Sequence, residues 1–543
     1  MCSNSRMETE LRVLMVAAEN DGLPDGKVGG IGDVVRDVPP ALAAVQSPTC
    51  HVGIVVPSYG FLHKQTGSKL LACYEFSFAG SSETIELHEV PGKRALPRVT
   101  QFVLHHSSFE YLDPVSHKPR IYCDDPPEAP FATDATKFAR FCAAVAQGIE
   151  KKLFGDINCL HLHDWHAAFL LILRQFDKNF PQLKALRTVY TIHNLALQGV
   201  RPLRGHPSSL ESWYPQLLLQ PPGEAQVRDP GYAACVNPMA VGIRLSDAVH
   251  AVSPGYRGEI LHPSDPRRGD PDCVSYGGEG LELDLGRADR EGRLFGILNG
   301  CDYDDRKMAP RDLPAYLDLL NLLHRTVSTW AAKAGTPAHY LALNRLAALR
   351  LGPVGRPGAV VTCVTRVVAQ KVRLMQMSAR PSALERVLRG LGETDVLLLL
   401  GTGDKALEQF MLDLSYRFSR FVFLNGFDNA CAGALYANGD LFLMPSSFEP
   451  CGISQMLAMR DGQPCVVHGV GGLKDTVADG RTGFSFSGAS LDIQANGFVD
   501  AVFRALCLLR CDVARYDAIR DAAFRERFLW SNSIRQYVEQ LYH

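Results

Sequence analysis

Short runs of apolar and β-branched residues recur along the chain, each followed by a helix-length segment of mixed pattern. In the first half they are LRVLMVA (11–17), HVGIVVP (51–57), INCLHLH (157–163) and LRTVYTI (186–192). Strands that stay apolar on both faces and alternate with helices predict parallel sheets with helices packed on either side. One segment departs from this rhythm. LLACYEFSFAGSSETIELHEV (70–90) alternates with period two around a polar turn and predicts a β-hairpin added to the first sheet.

From Gly258 to Arg293 the pattern breaks into Gly, Pro, Asp and Arg, as a linker or long surface loop would. The rhythm then resumes with LFGILN (294–299), AVVTCVT (359–365), DVLLLLG (395–401), RFVFLNG (420–426), DLFLMP (440–445) and QPCVVHG (463–469). The expected organisation is therefore one α/β unit over 1–257, a connecting stretch over 258–293, and a second α/β unit over 294–525. Two such units leave a cleft between them, and open α/β sheets bind ligands outside the carboxyl ends of their strands.

Composition narrows the class. The chain has 543 residues, 46% of them hydrophobic and 21% charged, enough for more than one globular domain. A net charge of -2 without a long basic run gives no field for nucleic acid or an anionic membrane. The apolar runs are too short to span a bilayer, and the start has no apolar leader, so a cytoplasmic location is expected. Fifteen cysteines without a C-x-x-C fit buried thiols in a reducing compartment.

Several strand ends carry candidate chemistry. ENDGLPDGKVGGIGDVV (19–35) is a Gly-rich loop between a strand and an amphipathic segment. It can present backbone N–H groups and Lys27 to an anion, or be a flexible turn. HLHDWH (161–166) puts His161 and His163 on one strand face, either as metal ligands or as a hydrogen-bonded cluster. YTIHN (190–194) adds His193 and Asn194 at the next strand end, which points to a shared pocket. Arg366 and Lys371 flank the exit of a later strand, where two cations suit a diphosphate or remain solvated. HGVGGLKDTV (468–477) is a second strand, Gly-turn, helix arrangement, and PSSFEPCGIS (445–454) sets the lone carboxylate Glu449 beside a turn.

Taken in order, KVGGIGDVV, HDWHA, YTIHNLALQG, SDAVHAVSPGYRGEI, GILNGCDYD, the Arg366 and Lys371 pair, FEPCGISQMLAMRDGQP, GGLKDTV and the tail FLWSNSIRQYVEQLY resemble the glycogen and starch synthases of bacteria and plants, glycosyltransferase family 5. The resemblance covers nearly the whole chain. It implies a GT-B architecture, two Rossmann-like domains facing a cleft, with the last helix (about 526–543) crossing back to complete the first. It also implies retaining transfer of glucose from ADP-glucose to the non-reducing 4-hydroxyl of an α-1,4-glucan, with no cofactor and no bound metal.

Residue by residue, Lys27 matches the K-x-G-G lysine, and Gly29, Gly30 and Asp33 belong to its loop. Asp164, Trp165 and His166 match the D-W-H cluster, and His193, followed by Asn194, matches the T-x-H-N histidine at the glucose. Arg366 and Lys371 match the diphosphate clamp. Glu449 matches the glutamate of E-P-C-G with Cys451 and Gly452 beside it, and Gly471 and Gly472 open the G-G-L segment. In the expected chemistry the cations stabilise the departing phosphate and Glu449 holds the sugar.

The chain departs from the family at Val28 and Ile31, at Ser447 in place of a common Arg, at Val372 in place of a common Gly, and at DRKMAP (305–310) in place of W-N-P. The rival readings are a GT-B transferase with another donor such as UDP-glucose, an α-glucan phosphorylase and an inactive glucan-binding relative. A dinucleotide oxidoreductase fits least, because no G-x-G-x-x-G follows the first strand.

Overall fold

The computed structural model describes residues 10–543 except 115–116, 218, 266–275, 304–307, 309, 352–354 and 378–380. Much of the DRKMAP departure and the centre of the Gly- and Pro-rich stretch therefore lie outside the described residues.

The first half supplies β1 (Leu11–Val16), β2 (Cys50–Pro57), β3 (Lys69–Phe78), β4 (Ser81–Glu89), β5 (Val99–His105), β6 (Cys159–His163) and β7 (Arg187–Ile192). A two-residue ladder, β8 (Arg201–Pro202) with β9 (Cys235–Val236), precedes β10 (Ala248–Ala251) and β11 (Leu294–Gly296). Nine of these strands form one sheet in the order β11-β10-β7-β6-β1-β2-β5-β4-β3. Its interior is parallel, and β3 and β4 form the antiparallel hairpin at one edge, where β3 alternates buried and exposed positions.

The second sheet contains β12 (Val360–Val364), β13 (Val396–Gly401), β14 (Phe421–Asn425), β15 (Leu441–Met444), β16 (Cys465–His468) and β17 (Gly483–Phe486). Its order, β14-β13-β12-β15-β16-β17, is the doubly wound one, and all its pairs are parallel. All six residues of β13 are buried, as expected of a central strand covered by helices on both faces.

Two expectations from the sequence need correction. LFGILN does not open the second unit: Val249 pairs with Leu294 and Ala251 with Gly296, so β11 is the edge strand of the first sheet. A three-residue strand carries too little pattern to say which sheet it joins. Nor is the stretch 258–293 simply a linker. Its described part includes the helix Glu282–Arg290, whose Leu285 and Ala288 are buried in the first unit's core.

The carboxyl-terminal segment returns to the first unit. Cys301 N donates to Phe528 O at 2.7 Å, Ser533 Oγ to Leu298 O at 2.6 Å, and Arg187 Nε to Leu541 O at 2.8 Å. Among the described residues no helix is long and apolar enough to cross a membrane.

Candidate active site

In each sheet the strand order reverses beside one strand, and the sequence-derived candidates collect there. β12 has β13 on one side and β15 on the other. The chain leaving β12 passes Arg366 and enters the helix Ala369–Gln376, which carries Lys371; the chain leaving β15 runs through Ser446 and Ser447 to Glu449. Lys371 Nζ and Glu449 Oε2 form an ion pair with side chains only 14% and 8% exposed.

Backbone contacts fix this pair. Ser447 N donates to Gln370 O at 2.9 Å, Ser447 Oγ to the same oxygen at 3.1 Å, and Gln370 Nε2 to Phe448 O at 2.9 Å. The small serine thus ties the loop to the lysine's helix. Val372 is fully buried in the second unit's core, where its side chain packs within regular helix. Arg366 is exposed and, among the described residues, has no ion pair.

The loop after Glu449 depends on two glycines. Gly452 has φ +77°, and Gly471 has φ +45° with its would-be Cβ 2.0 Å from Glu449 O, so a side chain at Gly471 would collide with the backbone of Glu449. Gly472 N donates to Glu449 O at 3.2 Å. Cys451 is buried between these segments, and burial pushes its thiol up to about 12.

Across the cleft, the loop after β1 is held by a carboxylate that sequence reasoning missed. Glu19 Oε2 accepts from Val28 N at 2.7 Å and Gly29 N at 2.6 Å, while Glu19 Oε1 accepts from Tyr122 OH at 2.7 Å. The Gly29 N–H expected to face an anion is therefore directed at Glu19. Gly30 begins the helix Gly30–Ala43, and Lys27 Nζ is paired with Asp33 Oδ1 at 2.6 Å. The only sequence signal for Glu19 is an acidic residue directly after a buried strand.

β6 and β7 deliver the histidines. His163 Nδ1 and His193 Nε2 share a hydrogen bond at 2.9 Å, and the His161 and His163 rings stack with centroids 4.5 Å apart. His161 uses both ring nitrogens, with Tyr542 OH at 2.8 Å and Thr191 Oγ1 at 2.7 Å, which favours the hydrogen-bonded cluster over metal ligation. Burial drives His161, His163 and His193 well below the ordinary imidazole range, so all three are neutral. Asp164 Oδ1 accepts from His193 N at 2.7 Å, and burial raises its carboxyl to about 8.

Trp165 and His166 are buried among Phe131, Phe138, Tyr122 and Phe169. Asn194 is half-buried, and its Oδ1 accepts from Ala196 N at 3.0 Å. The two halves touch beside Glu449, where Ser253 Oγ donates to Pro450 O at 2.6 Å and the rings of Tyr256 and Phe448 meet edge to face.

Two family models match the chain. Residues 12–286 match the family model described as the starch synthase catalytic domain, and residues 359–507 the one described as glycosyl transferases group 1. The chain belongs to the glycogen and starch synthase family, glycosyltransferase family 5. It is 30% identical to the glycogen synthase of Aeromonas salmonicida (strain A449), over 98% of both chains. It is also 30% identical to that of Streptococcus sanguinis (strain SK36), over 97% of this chain and 99% of the relative. Among solved structures, the catalytic domain of starch synthase IV from Arabidopsis thaliana bound to ADP and acarbose superposes with a TM-score of 0.73 at 24% identity, covering 98% of this chain and 99% of the plant one. The fold of this family member is thus GT-B, and the chain is a glycosyltransferase.

Proposed function

We propose that the cleft transfers glucose, with retention, from ADP-glucose to the non-reducing 4-hydroxyl of an α-1,4-glucan. The observation that carries this reading is the Lys371 and Glu449 pair at the strand-order reversal of the second sheet, where doubly wound sheets take nucleotide ligands.

In this reading Arg366 and Lys371 grip the diphosphate, and Lys27 reaches it from the opposite unit as its contact with Asp33 loosens. Positive charge placed in advance stabilises the leaving phosphate more in the transition state than in the bound donor. Three cations of the chain meet that charge, so a resident metal is not part of the reading. Glu449 accepts hydrogen bonds from the glucose hydroxyls and stabilises the cationic anomeric centre. Phe427, 59% exposed just beyond β14, offers an aromatic face to the base about 10 Å along the sheet from β12. The fold neighbour solved with ADP agrees with an adenine donor.

A double displacement needs an ionised carboxylate free to attack the opposite face of the sugar. Burial raises the Asp164 carboxyl to about 8 and the His193 amide engages it, and Glu19 is engaged by two amides and a phenol. This favours attack on the face that the phosphate leaves, with the phosphate as base.

The test is incubation with glycogen and radiolabelled ADP-glucose or UDP-glucose, scoring label in polymer. Incorporation from ADP-glucose, unchanged by EDTA, is expected. Preference for UDP-glucose would overturn the donor assignment, and no incorporation from either would favour a glucan-binding relative.

A further inference from the structure

Two stretches quoted from the sequence, SPGYRGEI and GGLKDTV, meet across the cleft with a reciprocal pattern. Gly255 N, on the first unit, donates to Asp475 Oδ2 of the second at 2.7 Å. Gly471 N, on the second, donates to Glu259 Oε1 of the first at 2.7 Å. Each stretch gives one glycine amide and one carboxylate to the other.

The backbones themselves are in close approach, since a Cβ on Gly255 would lie 2.5 Å from Gly471 O. Beside them Ser253 Oγ donates to Pro450 O, the peptide that follows Glu449, and Gly471 lies against Glu449 O. Contacts that join the two units here thus also touch the backbone of the loop carrying Glu449.

We infer that Glu259 and Asp475 are positioning residues of the transfer reaction. By capping the glycine amides of the opposite stretch they register the loop of Glu449 against the first unit, and the sugar-holding carboxylate reaches its working place only in the docked arrangement. Amide N–H groups bonded to carboxylates are charge-assisted and directional, so two such bonds with a close glycine contact define one register. Docking then couples closure of the cleft to completion of the site. The inference rests on the proposed glucosyl transfer.

Four variants of the full chain test it: Glu259→Ala, Asp475→Ala, Glu259→Gln and Asp475→Asn. The amide variants keep an oxygen that accepts from the glycine N–H, so a lost contact is separated from a lost charge. The alanine variants are expected to lose about tenfold to a hundredfold in kcat, the scale set by a misplacement of about 1 Å, with ADP affinity within about twofold of the parent. The amide variants should recover most of that rate. Small-angle scattering should show a larger radius of gyration for the alanine variants than for the parent and the amide variants.

Parent-like kcat in both alanine variants, or amide variants no better than alanine, would overturn the inference. If the parent itself transfers no glucose, the functional reading fails while scattering still judges the docking: equal radii for all five proteins would overturn it as well.

Discussion

Lys371 Nζ is ion-paired with Glu449 Oε2 across the boundary between β12 and β15, and both side chains are largely withdrawn from water. Either charge alone would be costly to bury. In the proposed reaction Lys371 has two duties: it neutralises Glu449 before the donor arrives, and it turns toward the diphosphate once glucose occupies the carboxylate.

Lys371→Ala should accordingly damage stability as well as donor binding. Removing one partner of a buried pair costs about 3–5 kcal/mol, because the other charge is left uncompensated. The double variant Lys371→Met with Glu449→Gln removes both charges and should recover most of that stability while remaining inactive. Denaturant unfolding of the single and double variants checks this. Equal stability of parent and Lys371→Ala would show that the pair carries no structural weight.

Arg366 should behave differently. It is exposed and has no ion pair among the described residues, so Arg366→Ala is expected to change stability by less than about 0.5 kcal/mol. Its donor KM should rise, since one of the two cations of the second unit proposed to grip the diphosphate is lost. A KM equal to the parent's would remove Arg366 from the clamp.

Gly471→Ala tests the packing behind Glu449. The added Cβ would sit 2.0 Å from Glu449 O at a φ of +45°, so the loop has to move. A displacement near 1 Å is expected to lower kcat about a hundredfold, with circular dichroism and ADP binding showing a folded protein. Parent-like turnover would mean that the loop tolerates movement.

The hydrophobic pattern disclosed the parallel units and the edge hairpin, because long runs such as VLLLLG at β13 have no other stable home than a covered sheet. It did not disclose β5, β10 or β17, which are short or half polar, and it misassigned β11, whose sheet depends on a partner and not on its own residues. Lys371, His193 and Glu449 stood out as candidates because each follows a strand within a characteristic stretch. The bonds from Gly255 to Asp475 and from Gly471 to Glu259 join positions 220 and 212 residues apart, a separation that no local pattern records. Glu19 escaped notice because a lone acidic residue at a strand end looks like any loop residue until its amide partners are seen.

Asp164 supplies a pH dependence with a defined sign. Its carboxyl is raised from 3.8 to about 8 in the folded chain. The native state thus keeps a proton that the unfolded state has released. The group's contribution is fully present below 3.8 and is lost as pH rises toward about 8, by up to about 1.4 kcal/mol per pH unit. Asp164→Asn cannot titrate and keeps an oxygen for the His193 amide. Parent and variant should have similar stability in acid and diverge up to about pH 8, with the variant the more stable. A difference independent of pH would show that Asp164 is ionised throughout.

The most direct measurement compares parent and Glu449→Ala in transfer of radiolabelled glucose from ADP-glucose to glycogen, with ADP binding measured on the same preparations. The account predicts incorporation by the parent, a fall of about a thousandfold or more in the variant, and ADP affinity within a few-fold of the parent. A variant that binds ADP and still transfers glucose at a rate near the parent's would contradict the role given to Glu449.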